Sequence, residues 1–137
     1  MRGLDTNVLV RFVTRDDPQQ AQAAHDLISQ AEREGESLHI STVVLCGLVW
    51  VLAGPTYQFD RTSIAALLDE MLKARAFVFQ ARERMRRALD LYRGGGADFA
   101  DYLIGEENRQ AGCTDTLTFD RRLREAPGFA FLGSPAR

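Results

Sequence analysis

The chain has 137 residues, with 19 Asp and Glu against 17 Lys and Arg, for a formal net charge of −2. That length suits one domain whose core folds without disulfide or metal staples. The 45% apolar and 26% charged fractions exclude wholesale disorder, and no apolar run approaches a membrane span of ~20 residues.

Before the first helix, 8–14 is a short apolar stretch of ambiguous type. Asp17-Pro18 is a helix start, an N-cap side chain followed by Pro at the first helical position. Ala21, Ala24, Leu27, Ile28 and Ala31 follow at helical spacing, and Gly35 suits the C-cap. Residues 38–40 read as a short strand. Ser41 or Thr42 then caps a helix running to Ala53, stopped by Gly54-Pro55. Thr62 or Ser63 opens another helix, with Ile64, Leu67, Leu68, Met71 and Leu72 on one face.

The spacing next predicts a strand over 76–79 and a helix over 81–92 with Met85, Leu89 and Tyr92 inward. Gly94-Gly95-Gly96 ends that helix. Asp98 opens another, carrying Leu103 and Ile104 and ending at Gly112. A strand over 114–118, a helical turn over 121–125 and a strand over 129–132 complete the chain. Short strands alternating with helices predict a single α/β domain, 1–137, with a mainly parallel sheet of about five strands sandwiched by helices. Such sheets form their ligand crevice outside the carboxyl ends of the strands.

Acidic residues recur at those ends. Asp5 follows the first short strand and Asp120 follows 114–118, while Asp98 and Asp101 share one face at a helix start. Converging carboxylates repel one another unless a cation holds them. Mg²⁺ or Mn²⁺, which take oxygen ligands, are the natural choice, and such an ion generates hydroxide and stabilises a phosphoryl transition state. Each acid also has a plain structural reading. Asp98 and Asp5 suit N-caps, Asp101 suits a helix first turn, and Asp120 suits the start of a turn.

Three segments carry a resemblance. Leu4-Asp5-Thr6-Asn7-Val8-Leu9-Val10-Arg11 resembles the first motif of PIN-domain nucleases, especially the bacterial VapC-type toxins. Gly96-Ala97-Asp98-Phe99-Ala100-Asp101-Tyr102-Leu103-Ile104 resembles their third motif and Thr118-Phe119-Asp120 their fourth. The segment 40–52 resembles the second, so the likeness runs along essentially the whole chain. It implies a helix-sandwiched sheet, a homodimer, and metal-dependent hydrolysis of RNA phosphodiesters using Mg²⁺ or Mn²⁺. It also implies neutralisation by a small cognate VapB-like antitoxin. Matched position by position, Asp5, Asp101 and Asp120 carry the catalytic, metal-holding carboxylates, and Asp98 matches an additional acid. Thr6, Asn7 and Thr118 match supporting polar residues. In the implied mechanism these acids hold one or two metal ions around the scissile phosphate and water attacks in line.

One position departs from the pattern. The second motif of the family has Glu where this chain has Gly47, and no Asp or Glu lies between Glu36 and Asp60 to replace it. Neighbouring Cys46 is a poor ligand for a hard cation. Gly in a helix interior also costs ~1 kcal/mol relative to Ala. Close packing against another backbone is the structural explanation. A naturally weakened member and an introduced inactivating substitution are the functional ones. The reading adopted is that the fold and weak metal binding persist while most activity is lost.

Of the 17 basic residues, 16 are Arg and one is Lys73. Arg suits bidentate phosphate contacts, although a coding bias toward Arg explains the count equally well. Arg82, Arg84, Arg86, Arg87 and Arg93 crowd one helix against Glu83 and Asp90, either as a solvated face or as a track for an RNA backbone. Arg121, Arg122 and Arg124 directly follow Asp120 and are better placed to reach a phosphate near the metal. Trp50, Leu48 and Val51 read first as core, and the resemblance offers dimer or antitoxin contacts as the alternative for some of them. His25 reads as a surface residue and His39 as a strand residue at the core's edge. Cys46 and Cys113 lie in no CxxC pair, and Asp5 interrupts the stretch a signal peptide needs, so the expected location is cytoplasmic, away from membranes. Two rival functions remain. A non-catalytic PIN-like module binding RNA or protein is favoured by Gly47. A CheY-like phosphoacceptor is disfavoured, because Asp5 stands alone and no late Lys follows.

Overall fold

The computed structural model describes residues 1–134. The chain packs as two units, Met1–Arg82 and Glu83–Arg137. In the first, β1 (Arg2–Gly3) leads into α1 (Thr6–Thr14) and α2 (Pro18–Glu34), then β2 (Leu38–Ile40), α3 (Thr42–Ala53), α4 (Arg61–Lys73) and β3 (Phe77–Phe79). Its three strands form a parallel sheet in the order β1-β2-β3, with Arg2 opposite Leu38 and Leu38 opposite Phe77. The second unit holds α5 (Arg82–Gly94), which opens at the boundary, then α6 (Phe99–Gln110), β4 (Thr116–Thr118), a single 3₁₀ turn over Arg121–Leu123, and β5 (Phe129–Phe131). Here β4 and β5 pair in parallel, Thr116 opposite Phe129 and Thr118 opposite Phe131. The α/β class and the parallel pairing follow the expectation. Among the described residues the strands, each two or three residues long, pair as a three-stranded and a two-stranded ladder.

The ambiguous stretch over 8–14 is helical. Asp5 adopts extended backbone and its side chain accepts from the Thr6 N–H at 2.8 Å, capping α1. Asp17 caps α2 by accepting from the Gln20 N–H at 3.1 Å, with Pro18 at the first position and Gly35 closing the helix at φ +68°. Ser41 caps α3 through the Val44 N–H. For α4 the cap is Asp60, bonded to the Ser63 N–H at 2.8 Å, rather than Thr62 or Ser63. Asp outcompetes those two because its extended backbone and charged acceptor both suit the position.

In α3 the buried residues are Leu45, Leu48, Val49 and Leu52, a helical stripe. Trp50 and Val43, seven residues apart, lie on the other side and are each 79% exposed. The core reading of Trp50 is therefore corrected: an apolar run has no polar residues to mark its solvent face, so composition hides which side is buried. Leu48 is fully buried and Val51 half-buried. Ile104, which the pattern assigned to α6's apolar set, is likewise exposed, while Leu103 is buried. His25 is exposed against Phe12, and His39 is half-buried in β2, as expected.

The first unit is tied at its loops by Asp16. Its carboxylate accepts from Tyr57 Oη at 2.5 Å, and from Thr14 Oγ1 and Arg11 Nη1 at 2.9 Å each. The Tyr57 and Thr14 hydroxyls, with Arg11, hold Asp16 from the ordinary value of 3.8 down to about 2. A depressed carboxylate contributes stability that is present above its unfolded pKa and lost as pH falls through its folded one. Asp16→Asn is therefore expected to lower Tm at neutral pH. Thermal melts from pH 7 downward should show that deficit closing between about 4 and about 2; a deficit independent of pH contradicts the assignment.

Candidate active site

In the first unit the expected site residues gather at the start of α1. Asp5 is exposed and is engaged in capping the helix it precedes. Asn7 is exposed and lines a groove with Arg11 and Gln20. Position 47, on α3, faces Thr6. A Cβ built on Gly47 meets Thr6 Oγ1 at 3.0 Å and Thr6 Cγ2 at 3.3 Å. The glycine therefore packs against a side chain, not against a backbone as its structural explanation supposed. Position 47, where the resemblance expects an acid, points at the residue next to Asp5.

In the second unit three acids come together. The 94–96 turn is closed against Tyr102, whose Oη accepts from the Ala97 N–H at 3.2 Å and would lie 1.8 Å from any Cβ at Gly95. Only glycine permits that approach. It sets the entry of α6, whose N-cap is Asp98; the Asp98 N–H donates to Asp101 Oδ2 at 3.0 Å. Asp120 caps the 3₁₀ turn, accepting from the Arg122 N–H at 2.9 Å, and its own N–H donates to Thr118 Oγ1 at 3.0 Å. The supporting role expected of Thr118 thus has a concrete form: it orients the Asp120 backbone.

The guanidinium of Arg122 spans the three carboxylates. Its Nη2 is 2.7 Å from Asp120 Oδ2 and 3.6 Å from Asp101 Oδ2, and its Nη1 is 3.3 Å from Asp98 Oδ1. The acids respond unequally. Asp120 receives most of the hydrogen bonds from Arg122 and is held below the usual aspartate value. Asp101 is pushed up, first by burial and then by the charges of Asp98 and Asp120, against the opposing pull of the Asp98 N–H and Arg122. Arg122 is raised further above its already high value, chiefly by Asp120. Three carboxylates are hard oxygen donors, the ligand chemistry that Mg²⁺ and Mn²⁺ take. Among the described residues, however, no three His, Cys, Asp or Glu side chains close around one point as a finished metal site. The guanidinium stands between them.

The remaining arginines divide by engagement. Arg121 lies over the Phe131 ring at 5.7 Å, and Arg124 approaches Glu125 at 3.9 Å. Arg82 donates to the Leu72 carbonyl, while Arg84 bonds Gln110 at 2.7 and 3.0 Å. Arg86 is half-buried on α5. Sequence reasoning placed Arg122 among the phosphate contacts and missed its tie to the acids. The available signal was its spacing, two residues after a carboxylate that caps a turn.

Helices alternate with short parallel strands, and acids stand at helix and turn starts. The PIN domain family model matches residues 4–128, across both units, and the chain belongs to that family. It is similar to a VapC ribonuclease of Aquifex aeolicus (strain VF5), with 24% identity over 125 residues covering 91% of each chain.

Proposed function

We propose that this chain is a VapC-like, metal-dependent endoribonuclease, weakened by glycine at position 47. The observation that carries this reading is the convergence of Asp98, Asp101 and Asp120 on one cationic group. The family membership and the VapC ribonuclease relative support it. Asp5 is assigned the first-motif role by resemblance.

When bound, Mg²⁺ or Mn²⁺ supplies the charge that acidifies water and stabilises the phosphoryl transition state. Asp98, Asp101 and Asp120 would hold that ion, and Thr118 keeps Asp120 in place. Asp101 is the most enclosed of the three, with a side chain 26% exposed, and therefore the least able to exchange a metal contact for water. Arg121 and Arg124, which follow Asp120 in the sequence, are assigned to meet the phosphates of RNA. Cytoplasmic location, a homodimer and neutralisation by a VapB-like antitoxin complete the reading; among the described residues no helix is long and apolar enough to cross a membrane. The second reading, a PIN-like module that binds without cutting, is favoured by Gly47 alone.

Titrating metal-free protein with Mn²⁺, read by electron paramagnetic resonance, tests the proposal. One saturable site is expected, with affinity lowered at least about 10-fold by Asp101→Asn. Equal binding by the two forms, or none by either, contradicts it.

A further inference from the structure

One guanidinium, that of Arg122, pairs with Asp98, Asp101 and Asp120. We propose that Arg122 is a built-in counter-cation, which a divalent ion must displace before Asp98, Asp101 and Asp120 can hold it. The inference rests on the metal reading above and adds a competitor to it.

Two observations and one chemical property carry it. One guanidinium contacts all three acids, at 2.7, 3.3 and 3.6 Å, so any ion bridging the same oxygens meets it. Guanidinium stays protonated throughout the physiological range, so it leaves only by competition with another cation and never by losing its proton. The displaced side chain also has somewhere to go. A cavity of about 420 Å³ borders Arg122, its walls including Gly94, Gly96, Asp90 and Glu125. The Arg122 backbone is anchored by its N–H on Asp120, so the side chain pivots while the turn stays in place.

The competitor is moderate in strength. The Arg122 side chain is 48% exposed, so its ion pairs are partly screened and each is modest. Together they set a threshold for metal loading without sealing the site. The expected consequence is a site that fills only when the divalent ion is abundant, and that stays neutralised and folded when it is scarce.

The test compares Mn²⁺ affinity of metal-free full-length protein with that of Arg122→Gln and Arg122→Lys at low ionic strength, with Asp101→Asn as the control for the site. Arg122→Gln is expected to tighten binding at least about fivefold. Arg122→Lys, which keeps the charge but not the fork that spans three acids, should tighten it less. The difference should shrink in ~0.5 M salt, where exposed pairs are screened; a purely structural role of Arg122 would leave no such salt signature. Binding by Arg122→Gln that is equal to or weaker than the parent's overturns the proposal while leaving the metal reading intact. No Mn²⁺ binding by parent or variants overturns the metal reading, and the proposal with it. Should melting curves show Arg122→Gln unfolded, the Arg122→Lys affinity decides alone, tighter in favour and equal or weaker against.

Discussion

Gly47→Glu is expected to raise metal-dependent RNA cleavage at least about 100-fold above the parent chain, measured as initial rates on total cellular RNA with Mn²⁺. The argument begins with direction. A side chain at position 47 leaves α3 toward Thr6, and Thr6 follows Asp5 directly. A carboxylate there stands beside the segment that carries Asp5, where nothing in the surrounding sequence supplies a second one. The substitution also has a structural cost. Its Cβ presses on Thr6 at 3.0 and 3.3 Å, so the threonine must yield by a few tenths of an ångström. Against this, Glu is the better helix former by roughly 0.5–1 kcal/mol. The two effects oppose, and Tm should move by only a few degrees. Adding Thr6→Ala removes both close atoms and should raise Tm in the Gly47→Glu background. An unchanged cleavage rate in a folded Gly47→Glu protein would mean that position 47 is not the source of weakness.

The second large effect is at Asp101. In the Gly47→Glu background, Asp101→Asn should cut cleavage by about 10²–10³-fold. Stability should move the other way. Burial and two like charges raise Asp101, so the fold disfavours its ionised form and the carboxylate is a burden at neutral pH. Asparagine retains an oxygen to accept from the Asp98 N–H, at 3.0 Å in the parent, while shedding the charge. Tm should therefore hold or rise. A carboxylate that costs stability yet is required for turnover is the signature of a functional site rather than of a cap. Asp16→Asn gives the mirror image: lower Tm, full activity. Loss of both stability and activity on Asp101→Asn would reduce Asp101 to a capping residue.

Much of the fold was legible because its punctuation is local. Asp17-Pro18 and Gly35, Ser41 and Gly54, and Asp98 after three glycines each mark a helix end through one or two residues. What was less legible depended on which face meets the core. Residues 8–14 form an apolar helix whose cap, Asp5, was read first as a strand-end acid. Trp50 sits in a run where every neighbour is apolar, so nothing in the pattern says that it is exposed. The candidate site was legible as a set of acids but not as an arrangement. Sequence spacing relates Asp98 to Asp101 on one helix turn; it does not bring Asp120 to them, and it reads Arg122 as a phosphate contact when its hydrogen bonds go to Asp120 and Asp98. Those contacts arise from the 3₁₀ turn, a single turn that propensity does not announce.

The central claim is that acids of this chain cleave RNA through a divalent ion. The most direct measurement is one reaction followed through three additions: Gly47→Glu protein on labelled total RNA with Mn²⁺, then excess EDTA, then Mn²⁺ in excess over the chelator. Cleavage is predicted to proceed, stop and resume, and to be almost absent throughout with Asp101→Asn. Cleavage that continues in EDTA, or an absence of cleavage at every stage, would contradict the account.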